Sequence, residues 1–165
     1  MKLTRWFKHL LAPPWLASHR FGMALSAEIG AAVMLAEAGQ PGELRFVAEG
    51  PLPFGYLWHE RNARQRAADL FAQLGVWDTA ENTGVLLYVQ LVDHRVEIFA
   101  DRGIAAKVPQ AEWEAICHSM ETAFKEADFR GGALNAVSRV GALLRTHFPG
   151  AADTPNELAN QPVIL

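Results

Sequence analysis

The feature that most constrains this sequence is a nearly continuous apolar run at residues 84–91, which reads Gly-Val-Leu-Leu-Tyr-Val-Gln-Leu. These residue types favour β-structure, and a run without polar alternation is typical of a strand covered on both faces. Asp93 and His94 follow as a tight turn, and residues 95–100 then alternate apolar and polar side chains. Because so short a connection leaves no room for a helical crossover, the two runs are predicted to form an antiparallel hairpin at the centre of a sheet.

The remainder of the chain alternates helix and strand patterns. Residues 43–49 alternate as a strand between glycine and proline breaks. Apolar residues at three- and four-residue spacing predict helices at about 24–38, with Ser26 placed to cap it, and at about 58–74, 110–126 and 133–148. This order of elements predicts an α/β fold in which a small mixed β-sheet carries helices on both faces.

Two finer expectations concern these helices. In the helix at about 58–74, the spacing places Arg61, Arg64 and Arg66 on the side that faces water or a partner. The pair Gly131 and Gly132 is predicted to separate the last two helices.

Length and charge bound the class of protein. A chain of 165 residues that is 50% apolar is long enough for one globular domain without disulfides or structural metals. Its 15 basic and 18 acidic residues are spread through the sequence, so no basic surface for nucleic acid is predicted. Cys117 is the single cysteine and lies among apolar residues, which favours burial as a small hydrophobe over a reactive thiol.

The chain divides into an N-terminal basic and apolar segment at 1–20, a domain at 21–149, and a polar tail at 150–165 that is expected to lie along the surface or fray. The apolar stretch near the start is interrupted by Lys8 and His9, so neither a secretory signal nor a transmembrane segment is predicted. Residues 1–16 suit an amphipathic helix that packs onto its own domain or touches a membrane surface. We therefore expect a cytoplasmic location, or one peripheral to the inner membrane.

Two loops carry the candidate chemistry. Asp78, Thr79, Glu81 and Asn82 precede the central strand, and Asp101 with Arg102 follows its hairpin partner. In an antiparallel hairpin, the start of one strand and the end of the next lie at the same edge of the sheet, so these loops are predicted to meet. Carboxylate, amide and carbonyl oxygens are the ligands that calcium and magnesium require.

The pattern therefore predicts a metal site formed by Asp78, Glu81, Asn82 and Asp101, with Arg102 available to bind a phosphate or other anion. Ordinary turns, helix caps and a local ion pair explain the same residues without a ligand.

Several segments together resemble the TPM domain family, and most of all a bacterial subgroup without a signal sequence. They are residues 43–47, 77–79 with Asn82, 84–86, 96–98 and 100–104, and the similarity extends over about 21–149. The resemblance implies a three-layer α/β/α sandwich. It also implies calcium binding, as in some members, or the acid phosphatase activity proposed for a chloroplast relative.

Two functional hypotheses follow. The first is a calcium- or magnesium-binding module that engages another protein or a membrane-associated complex. The second is a metal-dependent acid phosphatase acting on phosphomonoesters, in which the cation and Arg102 neutralise phosphate charge. The module is favoured because the sequence contains no recognisable pair of nucleophile and base.

Overall fold

The computed structural model describes residues 2–150 and 156–165. The strands are β1 (Glu43–Glu49), β2 (Gly84–Gln90), β3 (Arg95–Ala100) and β4 (Val163–Ile164). The helices are α1 (Lys2–Leu11), α2 (Leu16–Arg20), α3 (Met23–Glu37), α4 (Phe54–Trp58), α5 (Ala63–Gln73), α6 (Arg102–Ala105), α7 (Gln110–Lys125) and α8 (Phe129–His147). Within these described ranges no helix is both long and apolar enough to span a bilayer.

The strands form one mixed sheet in the order β3-β2-β1-β4. β2 pairs antiparallel with β3, where Val85 lies opposite Ala100, and parallel with β1, where Gly84 lies opposite Glu43. Every residue of β2 is buried. The predicted hairpin and the interior position of this strand are therefore confirmed.

Helices cover both faces of the sheet because alternate strand residues point to opposite sides. On one face, Phe46 and Leu87 belong to the larger core, which also contains residues of α3, α7 and α8. On the other face, Val47, Leu86 and Tyr88 pack with residues of α5. The result is the expected α/β fold with a helix layer on each side.

Several element boundaries differ from the sequence prediction. The helix predicted at about 58–74 is α5, which begins only at Ala63, because Asn62 and Gln65 form a reciprocal capping box there. The separate helix α4 ends at Trp58, where the predicted helix was expected to begin. Ser26 does not cap α3. The helix begins at Met23, and the Ser26 hydroxyl donates to the carbonyl of Phe21 from within the first turn.

Gly131 and Gly132 lie inside α8 rather than between two helices. Asp128 caps the helix by accepting a hydrogen bond from the Gly131 N–H. A Cβ on residue 132 would lie 2.9 Å from the Phe124 ring, so this glycine permits close packing of α7 and α8.

The tail also contributes structure. Residues 151–155 of the predicted 150–165 tail lie outside the described residues. Beyond them, Val163 and Ile164 pair in parallel with Val47 and Ala48 of β1, so the end of the tail is a short strand rather than a frayed segment. The Leu165 N–H donates to the Ala48 carbonyl, which extends the pairing by one residue.

Candidate functional site

The loop before β2 is shaped by backbone and hydroxyl contacts. The Asp78 N–H donates to the Gly75 carbonyl, and the Asn82 N–H donates to the Thr79 carbonyl. The buried Thr79 hydroxyl accepts a hydrogen bond from the Thr83 N–H at 2.9 Å. Asn82 has a φ of 54°, a left-handed conformation that asparagine adopts more readily than most residues. These contacts fix Asn82 at the amino end of β2.

Two glycines allow close backbone contacts at this edge, one within the loop before β2 and one between the two candidate loops. A Cβ on Gly84 would lie 1.8 Å from the Val76 carbonyl oxygen. A Cβ on Gly103 would lie 2.6 Å from the Asn82 carbonyl oxygen and 3.0 Å from that of Glu81. The backbone that follows β3 therefore lies directly against the backbone that precedes β2.

Asp101 is the most unusual side chain at this edge. It caps α6, and its Oδ1 accepts the Arg102 N–H at 2.7 Å. Its Oδ2 is buried and has no hydrogen-bond partner among the residues that the structure describes. Burial of a carboxylate oxygen without a donor is energetically costly. Oδ2 of Asp101 is thus an acceptor that a cation or a water molecule would satisfy.

Two carbonyl oxygens of the facing loop are also without a donor in the described part of the chain. The carbonyls of Glu81 and Asn82, which face Gly103, accept no hydrogen bond from any described residue. The side chain of Asn82 is occupied, because its Oδ1 accepts from both Nε and Nη2 of Arg102 at 3.2 Å. The amide oxygen of Asn82, predicted as a metal ligand, is therefore hydrogen-bonded to the guanidinium of Arg102, which was predicted to bind an anion.

Asp78 and Glu81 are exposed, and neither side chain forms a hydrogen bond or ion pair within the described ranges. Across residues 2–150 and 156–165, no group of three or more His, Cys, Asp and Glu side chains is arranged to hold a metal ion. The available donors at this edge are oxygens, which suit calcium or magnesium better than zinc. A cation held by these oxygens alone would keep several water ligands.

A carboxylate that the sequence interpretation missed reaches the same loop. Glu157 accepts a hydrogen bond from the Ala80 N–H at 3.0 Å. Glu43 in turn accepts the N–H groups of Glu157 and Leu158, each at 3.1 Å. Burial raises the pKa of Glu43 above its ordinary value. The tail thus brings one more acidic group beside the loop that carries Asp78 and Glu81, and no local sequence pattern indicated it.

The opposite end of the sheet contains a buried polar network that was also missed. Arg66 donates to Glu49 through Nε and Nη2, the latter at 2.6 Å, and the Tyr88 hydroxyl donates to Glu49 at 2.5 Å. The Nη1 of Arg66 donates to the Tyr56 hydroxyl at 3.1 Å. The prediction that Arg66 faces water or a partner is wrong, because only 8% of the residue is exposed. With its groups paired to one another, this network stabilises the fold rather than offering a site.

Cys117 behaves as the sequence suggested. It is partly buried and packs against the larger core, and burial raises the pKa of its thiol to about 12. The thiolate is the reactive form of cysteine, so this side chain is a poor nucleophile at neutral pH.

Comparison with known proteins identifies the fold family. Similar solved structures include the BA42 protein from the psychrophilic bacterium Bizionia argentinensis, with 27% identity over 86% of this chain and 93% of that chain and a TM-score of 0.75. They also include the N-terminal domain of a protein from P. gingivalis (17% identity, 81% of this chain and 82% of that chain, TM-score 0.65) and the N-terminal domain of the cg2496 protein from Corynebacterium glutamicum (13%, 83% and 78%, TM-score 0.54). The second and third are similar in fold alone. No curated protein matches the sequence. The family model of the TPM domain matches residues 26–143, well over half of the chain. The chain therefore belongs to the TPM domain family.

Proposed function

We propose that this TPM domain is an accessory module that binds a divalent cation, with calcium favoured over magnesium, at the edge where the loop before β2 meets α6. The observation that carries the proposal is the buried Oδ2 of Asp101, which has no hydrogen-bond partner among the described residues. A hard cation satisfies such an oxygen and removes the cost of burying it.

The surrounding residues support this role in different ways. The carbonyl oxygens of Glu81 and Asn82 supply neutral ligands of the kind calcium accepts. The exposed carboxylates of Asp78 and Glu81 add negative charge that attracts a cation to this edge. Arg102 holds the amide of Asn82 and so fixes the two loops relative to each other. Because few protein ligands converge, we expect weak affinity, with a Kd of roughly 0.1 to 1 mM.

The test is a calorimetric calcium titration of the wild-type protein beside two matched variants. Asp101→Asn removes the charge of the buried carboxylate but keeps an oxygen that can cap α6. Asp128→Asn makes the same change at the cap of α8, where Oδ1 accepts the Gly131 N–H at 2.7 Å.

We expect Asp101→Asn to weaken calcium binding by roughly tenfold or more and Asp128→Asn to leave it unchanged. Absence of calcium and magnesium binding at millimolar concentrations, or equal binding by Asp101→Asn and wild type, would refute the proposal.

The metal-dependent phosphatase is the alternative use of the same site. Phosphatase activity requires Arg102 to bind phosphate. In the structure, the Nε and Nη2 of this guanidinium both donate to Oδ1 of Asn82. The same proteins should therefore be assayed for hydrolysis of a generic phosphomonoester with and without calcium. Turnover that requires the cation and disappears in Asp101→Asn would replace the accessory module with the enzyme.

A further inference from the structure

Helix α1 lies on the domain with its polar side inward. Arg5 and His9 both bind Asp93, at 2.7 and 3.0 Å, and the Nδ1 of His9 accepts the Leu52 N–H at 3.0 Å. Only 3% of His9 is exposed. An amphipathic helix on a globular domain normally buries its apolar side instead. The polar contacts hold α1 in place while most of its large apolar side chains are exposed. Trp6 is the exception among the described residues of α1, since it is half-buried and its Nε1–H donates to the Leu57 carbonyl at 3.2 Å.

The outward side of α1 forms part of a wider apolar surface. Leu3, Phe7, Leu10 and Leu11 are 55–79% exposed. The Trp6 ring joins them to α4, with ring centroids 5.1 Å from Phe54 and 6.4 Å from Trp58. We call these exposed residues of α1 and α4 the apolar patch; it consists of Leu3, Phe7, Leu10, Leu11, Phe54 and Trp58. A groove of about 320 Å³ runs between the two helices, and the described residues that line it are apolar apart from the acidic Glu60.

So large a contiguous patch is unusual on a soluble monomer and indicates a binding surface. Its composition also matters, because leucine, phenylalanine and tryptophan are the residues with which interfacial helices enter the headgroup and acyl boundary of a bilayer.

The charges beside the apolar patch indicate which kind of partner binds it. A neighbouring cavity of about 540 Å³ is lined by Lys8 of α1 together with Arg20, Arg95 and Lys125, and among the residues that the structure describes Glu121 is the only acidic one lining it. Glu121 accepts the Val96 N–H at 3.0 Å and lies 3.9 Å from Arg95. Lys8 and Lys125 are exposed and form no ion pair within the described ranges. This local basic excess contrasts with the net charge of −3 for the chain.

We propose that the apolar patch docks on an anionic lipid bilayer. The apolar side chains of α1 and α4 enter the boundary between headgroups and acyl chains, while Lys8, Arg20 and Lys125 contact lipid phosphates. A basic residue near an anionic membrane surface strengthens binding by roughly fivefold. The Asp101 edge lies at the other end of β2, so it would remain accessible to water, and the docking is independent of the proposed cation site.

The experiment is co-sedimentation of the full chain with vesicles of phosphatidylcholine alone or in equal parts with phosphatidylglycerol. Phe7→Ser combined with Leu10→Ser removes the centre of the patch at exposed positions. Met34→Ser combined with Leu35→Ser is the matched control, because these side chains are 61% and 70% exposed on α3. Melting curves by circular dichroism establish that each variant folds.

We expect the wild-type chain to bind the anionic vesicles. The variant with Phe7→Ser and Leu10→Ser should bind them more weakly by roughly tenfold or more, and the control variant should bind them like wild type. Lys8→Glu combined with Lys125→Glu should weaken the same binding, and added salt should weaken the wild type in parallel.

Equal binding to both kinds of vesicle, or equal loss in the patch and control variants, would overturn the proposal. Absence of lipid binding together with a dimer by light scattering, broken by Phe7→Ser and Leu10→Ser, would show instead that a second copy covers the patch.

Discussion

Glu37 makes the stability of this domain depend on pH between about 4.5 and 7. It is the last residue of α3, and its Oε1 accepts the Leu44 N–H at 2.8 Å while Oε2 accepts from the Asn160 side chain. Burial raises the pKa of Glu37 to about 7, the Leu44 N–H partly opposes this, and the charge of Glu43 adds to it.

The sign follows from the two states. The folded chain keeps the proton on Glu37 up to about pH 7, while the unfolded chain releases it near 4.5. Stability from this group is therefore fully present below pH 4.5 and is lost as pH rises towards 7. At about 1.4 kcal/mol per pH unit the loss is at most about 3.5 kcal/mol, and partial solvent exposure of the side chain reduces it.

Glu37→Gln removes the ionisation and keeps an acceptor for Leu44. Urea unfolding followed by tryptophan fluorescence, at pH values from about 5 to 8, gives the free energy of unfolding of both proteins. Between the low and the high end of this pH range, we expect the free energy of unfolding of the variant to rise by about 2 kcal/mol relative to that of wild type. Glu28→Gln, on the exposed part of α3 beside Arg130, is the matched control and should leave the wild-type profile unchanged. Parallel profiles for wild type and Glu37→Gln would refute the reasoning.

Two further predictions concern packing at either end of the sheet. Gly84→Ala should lower the free energy of unfolding by about 2 kcal/mol or more, because its Cβ would collide with the Val76 carbonyl. Gly55→Ala, where no atom of the described residues lies within 4 Å of the added Cβ, is the control, and equal effects of the two would contradict the packing argument. Arg66→Met should cost about 3–5 kcal/mol in urea unfolding because it leaves the buried carboxylate of Glu49 without its cation. A double variant with Glu49→Gln should recover much of that loss, and a single-variant cost under about 1 kcal/mol would show that the ion pair is unimportant.

The central hairpin was predictable because its signals are local. The apolar run of β2, the Asp93–His94 turn and the alternation in β3 lie within 17 consecutive residues, and their pairing requires no distant contact. β4 was not predictable in this way, since a strand of two residues has no periodicity to detect. The capping box of Asn62 and Gln65, which starts α5 at Ala63, was missed, because apolar spacing does not mark the residue at which a helix begins.

In the candidate site, too, the local features were predictable and those that depend on distant contacts were not. The hairpin geometry correctly implied that the loop at Asn82 would meet the one at Arg102, and these two side chains are hydrogen-bonded. It did not reveal that Oδ2 of Asp101 is buried, or that Glu157 reaches Ala80, because both depend on packing across distant parts of the chain. The buried position of Arg66 was missed for a related reason: its partner Glu49 lies on another element.

β4 has a practical consequence for handling this protein. By pairing with Val47 and Ala48, it occupies hydrogen-bonding groups of β1 that would otherwise form an open sheet edge. A chain shortened to residue 162 would expose that edge to strand addition by neighbouring molecules, and self-association would follow even with the core intact. Expression tags are therefore better joined after Leu165 through a flexible linker than in place of the last three residues.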